Sequence, residues 1–348
     1  MPNLESVQDI ASFFSKMDLY LNDHIGLALD SNRLYRKIIF YVFRESPIRN
    51  ITYGKNGFVY LNAHSTKYLN SNFESTCIRG VDPKYLPGLT RKLDTIFKHF
   101  EQRNYQVSFA VPVTKIAIYP ENLPDNTPAN ILKACAKYRL GNNNPVLLDT
   151  AYSGKHDFYY PLQALSSLKD NPHFYPKENF HWNGMSAHVF SMGLLARMGI
   201  TVDESIYNER SISTVSADLT DLGFDRQIKA WFYPYSGYKI HRSTRSPSLV
   251  KQYYRNATDF AEFKTANPAT EQTALVLSNS FGSFTVPHLA PAFKTLYHVN
   301  INHLAEDEGP VFYAQLIDSL NPDRIIFIFE DTSLIRETAI STILEYIK

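Results

Sequence analysis

Two short stretches hold residues whose types suit covalent chemistry. The first is Ser278-Asn279-Ser280-Phe281-Gly282, which follows the apolar run Ala274-Leu275-Val276-Leu277. A run of that length reads as a buried strand. A strand ending in Ser-x-Ser-x-Gly before a helix can present a serine hydroxyl at the carboxyl edge of a sheet, where open α/β folds bind their ligands. Ser280 is therefore the candidate nucleophile, weighed against the commoner use of serine in turns. The second stretch is Lys177-Glu178-Asn179-Phe180-His181-Trp182-Asn183-Gly184, at the start of a helix predicted near 184–198. A histidine beside a tryptophan at a helix entry can be rigidly oriented and half buried, although a packed aromatic pair is the plainer reading.

The elements that must position these stretches follow from periodicity. Short apolar runs at 106–112, 145–149, 274–278, 296–300 and 324–330 read as strands. Between them, helical spacing predicts helices over 85–104, 129–138, 160–168, 184–198 and 310–320, with further helical potential from Pro287 to Phe293. Strands alternating with helices argue an α/β fold with a mostly parallel sheet. Residues 1–50 read as an N-terminal helical segment packed on the core. Asn56-Gly57 signals a hairpin turn. Residues 201–270 are irregular and read as an insertion or cap within the catalytic domain expected over 51–348. Within them His241, Arg242 and Arg245 would suit an acidic sugar, or form a solvated basic loop.

Composition narrows the function. Thirty-five basic against 34 acidic residues give a net charge of +1 over 348 residues, which excludes a polyanion-wrapping surface and so a nucleic-acid partner. Tyr and Phe number 23 each, and exposed rings among them would suit sugars, with most expected in the core. Two cysteines, Cys77 and Cys135, exclude a disulfide-dense scaffold or a cysteine-only zinc site and leave one bridge open. There is no metal-ligand spacing, no P-loop and no dinucleotide glycine fingerprint. No apolar run reaches the length of a membrane span, and the first residues lack the blocks of a signal peptide. As written, the chain reads as cytoplasmic.

The His-Trp stretch resembles the Asp-x-His-Trp signature of the alginate O-acetyltransferase-like proteins, SGNH-hydrolase relatives that modify bacterial exopolysaccharides. Asn22-Asp23-His24-Ile25-Gly26 with Gly54-Lys55-Asn56-Gly57-Phe58 is similar to that family's amino-terminal motifs. Val111-Pro112-Val113-Thr114-Lys115, with Ile118-Tyr119-Pro120-Glu121 and Leu123-Pro124, resembles its proline-lysine-tyrosine-proline-glutamate segment. Ser278–Gly282 stands in the place of its nucleophile block, and Gly309-Pro310 and Glu330 fit its carboxyl-terminal segment. The similarity is colinear over roughly residues 20–335.

The resemblance implies an SGNH-like three-layer α/β/α fold and a serine–histidine–acid triad. Ser280 would attack an acetyl donor of unknown identity, free or on a donor protein, with no bound cofactor. His181 would take the serine proton and later that of a polysaccharide or oligosaccharide hydroxyl, since a serine hydroxyl near neutral pH needs such a base. Backbone N–H groups around Ser280, Phe281 and Gly282 would stabilise the oxyanion. Asn279 and Trp182 would line the site, and Lys115 and Tyr119 would line the donor or sugar site or simply tie down a loop. The chain departs from the pattern where Asn179 replaces the family's Asp, and where Ser278 and Asn279 precede the nucleophile. Asn179 would orient His181 through its carbonyl oxygen, or Glu178, Asp149 or Asp157 would replace it. An O-acetyl esterase and a catalytically weakened glycan-binding protein are the alternatives. The resemblance implies the periplasm or cell surface.

Overall fold

The computed structural model describes residues 51–62, 71–139, 143–153, 156–203, 205, 210–216, 218, 227–232, 240–243, 260–302 and 309–347, with a few positions between 16 and 43. β1 (Ile51–Tyr53) and β2 (Val59–Leu61) pair antiparallel. In the turn joining them Asn56 and Gly57 have φ of 54° and 81°, the left-handed backbone that Asn-Gly supplies at little cost. β3 (Gln106–Ala110) and β4 (Asp157–Tyr159) follow, then a two-stranded ribbon of β5 (Ser211–Ser216) and β6 (Gln227–Phe232). β7 (Ile240–Ser243), β8 (Phe260–Thr265), β9 (Thr270–Ser278), β10 (Phe293–Asn300) and β11 (Arg324–Ile328) complete the set. Seven of them form one sheet in the order β4-β3-β11-β9-β10-β8-β7.

From β4 to β10 every pairing is parallel. Strands in such a sheet are covered by helices on both faces and read as unbroken apolar runs. All five residues of β11 and the last five of β9 are buried accordingly. The Leu86–Glu101 helix buries Leu89, Leu93, Ile96, Phe97 and Phe100, a stripe at helical spacing. Phe100 meets Phe327 of β11 at 5.7 Å between ring centres.

Three expectations change. Residues 145–149 form part of a helix, Val146–Tyr152, rather than a strand; a short apolar run does not distinguish the two, and β4 takes the sheet edge instead. β7 and β8 arise inside the expected insertion and extend the sheet antiparallel, so the sheet is mixed. The helical potential at 287–293 belongs to a helix that starts earlier, Ser280–Leu289, and β10 begins at Phe293. The N-terminal helical segment lies almost wholly outside the described residues, as do Arg245 and the 22–26 motif. Among the described residues no helix is long and apolar enough to cross a membrane.

The two cysteines are bridged. Cys77 ends the Ser71–Cys77 helix and Cys135 lies in Ala129–Arg139, with their Cα atoms 4.8 Å apart and a sequence separation of 58. Closing a loop of that length restricts the unfolded chain by about 4 kcal/mol in the chain-entropy model. The Cys77→Ser/Cys135→Ser double variant should therefore unfold at markedly lower denaturant with an unchanged folded spectrum. A midpoint equal to wild type would show that the bridge adds no stability.

Candidate active site

Ser280 is the first residue of its helix, directly beyond β9. Asn279, extended at φ −86° and ψ −169°, caps that helix: its Oδ1 accepts from the Phe281 N–H at 3.2 Å. Its carbonyl accepts from the Gly282 N–H at 3.0 Å, and its own N–H reaches Ile328 O at the end of β11. Capping residues of this type satisfy the donors that a helix start leaves open. Two of the three N–H groups expected for an oxyanion are thus already engaged, which leaves that of Ser280. Gly282 is also explained by packing: a Cβ there would lie 2.0 Å from Ser278 Oγ. The close approach that glycine permits is to the strand, not to a ligand.

His181 belongs to a strap, residues 175–184, that crosses the carboxyl edge of the sheet. Its Nε2 lies 2.7 Å from Ser280 Oγ. Around the imidazole stand Phe180, Phe281 and Phe284, with ring centres 4.3, 5.1 and 5.2 Å away. Trp182 is fully buried and donates from Nε1 to Phe281 O at 3.2 Å. It braces the turn that carries Ser280 and does not line an open site. Histidine and serine, 99 positions apart in sequence, therefore meet through two local braces.

The acid beside the imidazole is Asp218. Its Oδ1 lies 3.2 Å from His181 Nδ1 and its Oδ2 accepts the His181 backbone N–H at 2.8 Å. Both side chains are close to nine-tenths buried. Burial alone would raise the Asp218 carboxyl, but the hydrogen bonds from His181 and the charge of Lys115 outweigh it and hold the group below the ordinary aspartate range. Asp218 sits just past β5, on the ribbon, and the ribbon is seated on the strap. Gly184 has φ 46°, and a Cβ on it would lie 2.5 Å from Trp231 O of β6.

Asn179 does not orient the imidazole. Its Oδ1 accepts the Asp218 backbone N–H at 2.9 Å, so it holds the acid in place while Asp218 fills the position expected of it. The other acids stand elsewhere. Asp149 is exposed on the Val146–Tyr152 helix, and Asp157 pairs with Arg324 and Ser108 at the opposite, amino edge of the sheet. No spacing rule points to Asp218, which lies 37 positions beyond His181 in a stretch without periodicity.

Lys115 and Tyr119 each tie a loop, and Lys115 also lines the pocket beside Phe180 and Phe281. Tyr119 is buried, and its hydroxyl donates to Lys169 O at 2.8 Å. Lys115 is 2% exposed and its Nζ donates to carbonyls of the strap. Phe180 and Phe281, the chain neighbours of His181 and Ser280, wall a small pocket together with Thr114 and Lys115. Glu330, buried at the end of β11, shares that wall, and burial raises its carboxyl. His241 and Arg242 are exposed on β7. Among the described residues, no group of three or more His, Cys, Asp or Glu is placed to hold a metal ion.

A second serine–histidine contact beneath Ser280 belongs to the fold. Ser278 Oγ donates to Asn279 O and lies 2.8 Å from His298 Nε2. Its single proton is thus committed, so it accepts from a neutral imidazole's Nε2–H. Burial pushes His298 from 6.5 down to about 3, and burial with the neighbouring His188 does the same to His288. A ring whose pKa falls on folding takes its proton first in the unfolded chain. Stability should therefore drop on acidification below the ordinary histidine range, by about 1.4 kcal/mol per pH unit for each ring. Asp331, raised by burial from 3.8 to about 6, acts in the opposite sense between those values, because there the folded state holds the extra proton. His188, lowered by burial to about 4, adds to the rings and Glu330, raised by burial, adds to the carboxyls, so three rings against two carboxyls leave a net loss. Denaturation midpoints should fall steadily as pH is lowered through that window, with a shallower slope in His298→Asn; a flat profile would contradict the neutral, buried rings.

No family model matches the chain. In structure it is similar to PatB1 of Bacillus cereus, solved with a sulfonyl adduct, at 19% identity and a TM-score of 0.48 over 73% of this chain and 90% of that one. It is similar to a DHHW family protein of Eubacterium siraeum at 12% identity and a TM-score of 0.49, covering 74% and 88% of the two chains. It is also similar to the O-acetyltransferase domain of Pseudomonas putida AlgJ at 11% identity and a TM-score of 0.45, covering 84% and 98%.

Proposed function

We propose that the chain is a serine-dependent O-acetyltransferase that moves an acetyl group to a hydroxyl of a polysaccharide. The observation that carries this reading is the line Ser280 Oγ–His181 Nε2, 2.7 Å, continued from Nδ1 to the Asp218 carboxylate at 3.2 Å. A hydroxyl, a base and an orienting acid in that order form the arrangement that activates a serine.

In the first half-reaction Ser280 Oγ attacks the acetyl carbonyl carbon while its proton passes to His181 Nε2. The developing oxyanion faces the Ser280 N–H, which the capping pattern leaves open, at the positive end of a ten-residue helix. The tetrahedral centre collapses, the leaving group takes the proton from His181, and acetyl-Ser280 remains. In the second half-reaction an acceptor hydroxyl gives its proton to Nε2, attacks the acetyl carbon and displaces Ser280 Oγ, which recovers that proton. Asp218 keeps Nδ1 protonated and stabilises the imidazolium in both steps. With Asp218 at Nδ1, Asn179 ceases to favour a non-catalytic glycan binder.

Water competes with the acceptor for acetyl-Ser280, so transferase and esterase differ in partition alone. The test is a chromogenic acetyl ester with and without a neutral oligosaccharide. Acetylated sugar formed at the expense of free acetate supports transfer. Unchanged acetate with no acetylated sugar makes the protein an esterase, and no turnover at all removes the acyl-transfer reading. The buried Cys77–Cys135 bridge supports an oxidising compartment such as the periplasm or cell surface.

A further inference from the structure

We propose that Lys115 is a positioning residue for the triad, a role that rests on the acyl-transfer reading. Its ammonium fixes the strap that carries His181 and, through Asn179, the acid. Lys115 follows β3 at the carboxyl edge and starts the short Lys115–Ile118 helix. From there its Nζ donates to Pro176 O at 2.6 Å, to Lys177 O at 2.9 Å and to Asn179 O. An ammonium has three protons, and three carbonyls of one four-residue segment receive them. The aromatic faces of Tyr175 and Phe58 close the pocket, 5.0 and 5.4 Å from Nζ.

An ion pair does not explain this burial. Among the described residues no carboxylate lies within 4 Å of Nζ, and desolvation works against the charge while Asp218 supports it from a distance. A buried cation is costly unless its hydrogen bonds are complete. Lys177 O also accepts from the Val59 N–H of β2 at 2.9 Å and Pro176 O from the Asn179 N–H at 3.3 Å, so Lys115 gathers these two carbonyls and that of Asn179 onto one point and ties the strap to the end of β3. The same Asn179 that gives Lys115 its carbonyl gives Asp218 its Oδ1. One side chain therefore sets both the approach of His181 to Ser280 and the seat of the acid. It touches neither the serine nor the imidazole, so its influence passes entirely through geometry.

The test reads the serine itself. Phenylmethanesulfonyl fluoride captures an activated serine without an acetyl donor or acceptor, by sulfonylating Oγ as fluoride leaves and the proton passes to the base. In the full-length protein, labelling of the Ser280 peptide should fall about 10²-fold in Lys115→Met, the loss that a displacement of about 1 Å in a reacting geometry produces. Lys115→Arg should not restore it, because a planar guanidinium cannot serve three carbonyls converging on one point. In ester turnover the same variants should lose kcat with KM unchanged. Wild-type labelling with no loss in a folded Lys115→Met overturns the positioning role and leaves the acyl-transfer reading standing. No labelling of the wild type overturns both. Should Lys115→Met fail to fold, wild-type protein carrying ¹⁵N at lysine Nζ decides instead. A Lys115 resonance with three protected protons is expected, and a freely exchanging amine would overturn the role.

Discussion

Asp218→Asn lowers ester turnover by about 10⁴-fold, the loss recorded when the acid of a serine protease triad is changed in the same way. The cause is tautomeric. With the carboxylate present, Nδ1 carries the proton and Nε2 is free to accept from Ser280. An amide at position 218 can turn its NH₂ toward Nδ1, which moves the proton to Nε2 and leaves no base facing the hydroxyl. Folding should suffer little, because the asparagine carbonyl can still accept the His181 backbone N–H that Asp218 Oδ2 accepts at 2.8 Å. The comparison variant is Asn179→Ala, which removes the bond at 2.9 Å to the Asp218 backbone and keeps the carboxylate. It should retain most turnover above that of Asp218→Asn. The reverse order, with Asn179→Ala the more damaging, would assign the orienting role to Asn179 and remove Asp218 from the triad.

Ser280→Ala should cost more, about 10⁶-fold in kcat, as loss of the nucleophile does in a subtilisin-type triad. The size of the effect follows from what remains: the helix start and its open N–H still favour an oxyanion, but no covalent intermediate forms. Because nucleophile and base act as a unit, His181→Ala added to Ser280→Ala should make little further difference. Additive losses in the double variant would mean that the 2.7 Å contact is not used in turnover. Folding is preserved in Ser280→Ala, since the cap belongs to Asn279 and the strap is held by Lys115 and Trp182.

The fold and the site were legible in the sequence to different depths, for physical reasons. Runs such as Ala274–Leu277 and Ile325–Phe329 are buried on both faces of a parallel sheet, so they announce themselves. Val146-Leu147-Leu148 is equally apolar and forms a helix, because burial on one side looks the same over three residues. Ser280 is readable at a helix start beside its capping Asn279, and His181 four residues before a helix beside the bracing Trp182. Asp218 is not: a ribbon folded over the strap delivers it, and that docking is a tertiary contact between Gly184 and Trp231. Asn179 and Gly282 act elsewhere than the pattern suggests, Asn179 through its Oδ1 on the Asp218 backbone N–H and Gly282 by making room for the Ser278 side chain. The antiparallel strands β7, Ile-His-Arg-Ser, and β8, Phe-Ala-Glu-Phe-Lys-Thr, carry no unbroken apolar run.

The most direct measurement is peptide mass spectrometry of the protein quenched in acid during steady-state turnover of an acetyl ester. One acetyl group should appear on the peptide containing Ser280, disappear on chase with an acceptor oligosaccharide, and be absent from Ser280→Ala. Turnover at an undiminished rate in Ser280→Ala, or an acetyl group carried by a different residue of the wild type, would contradict it.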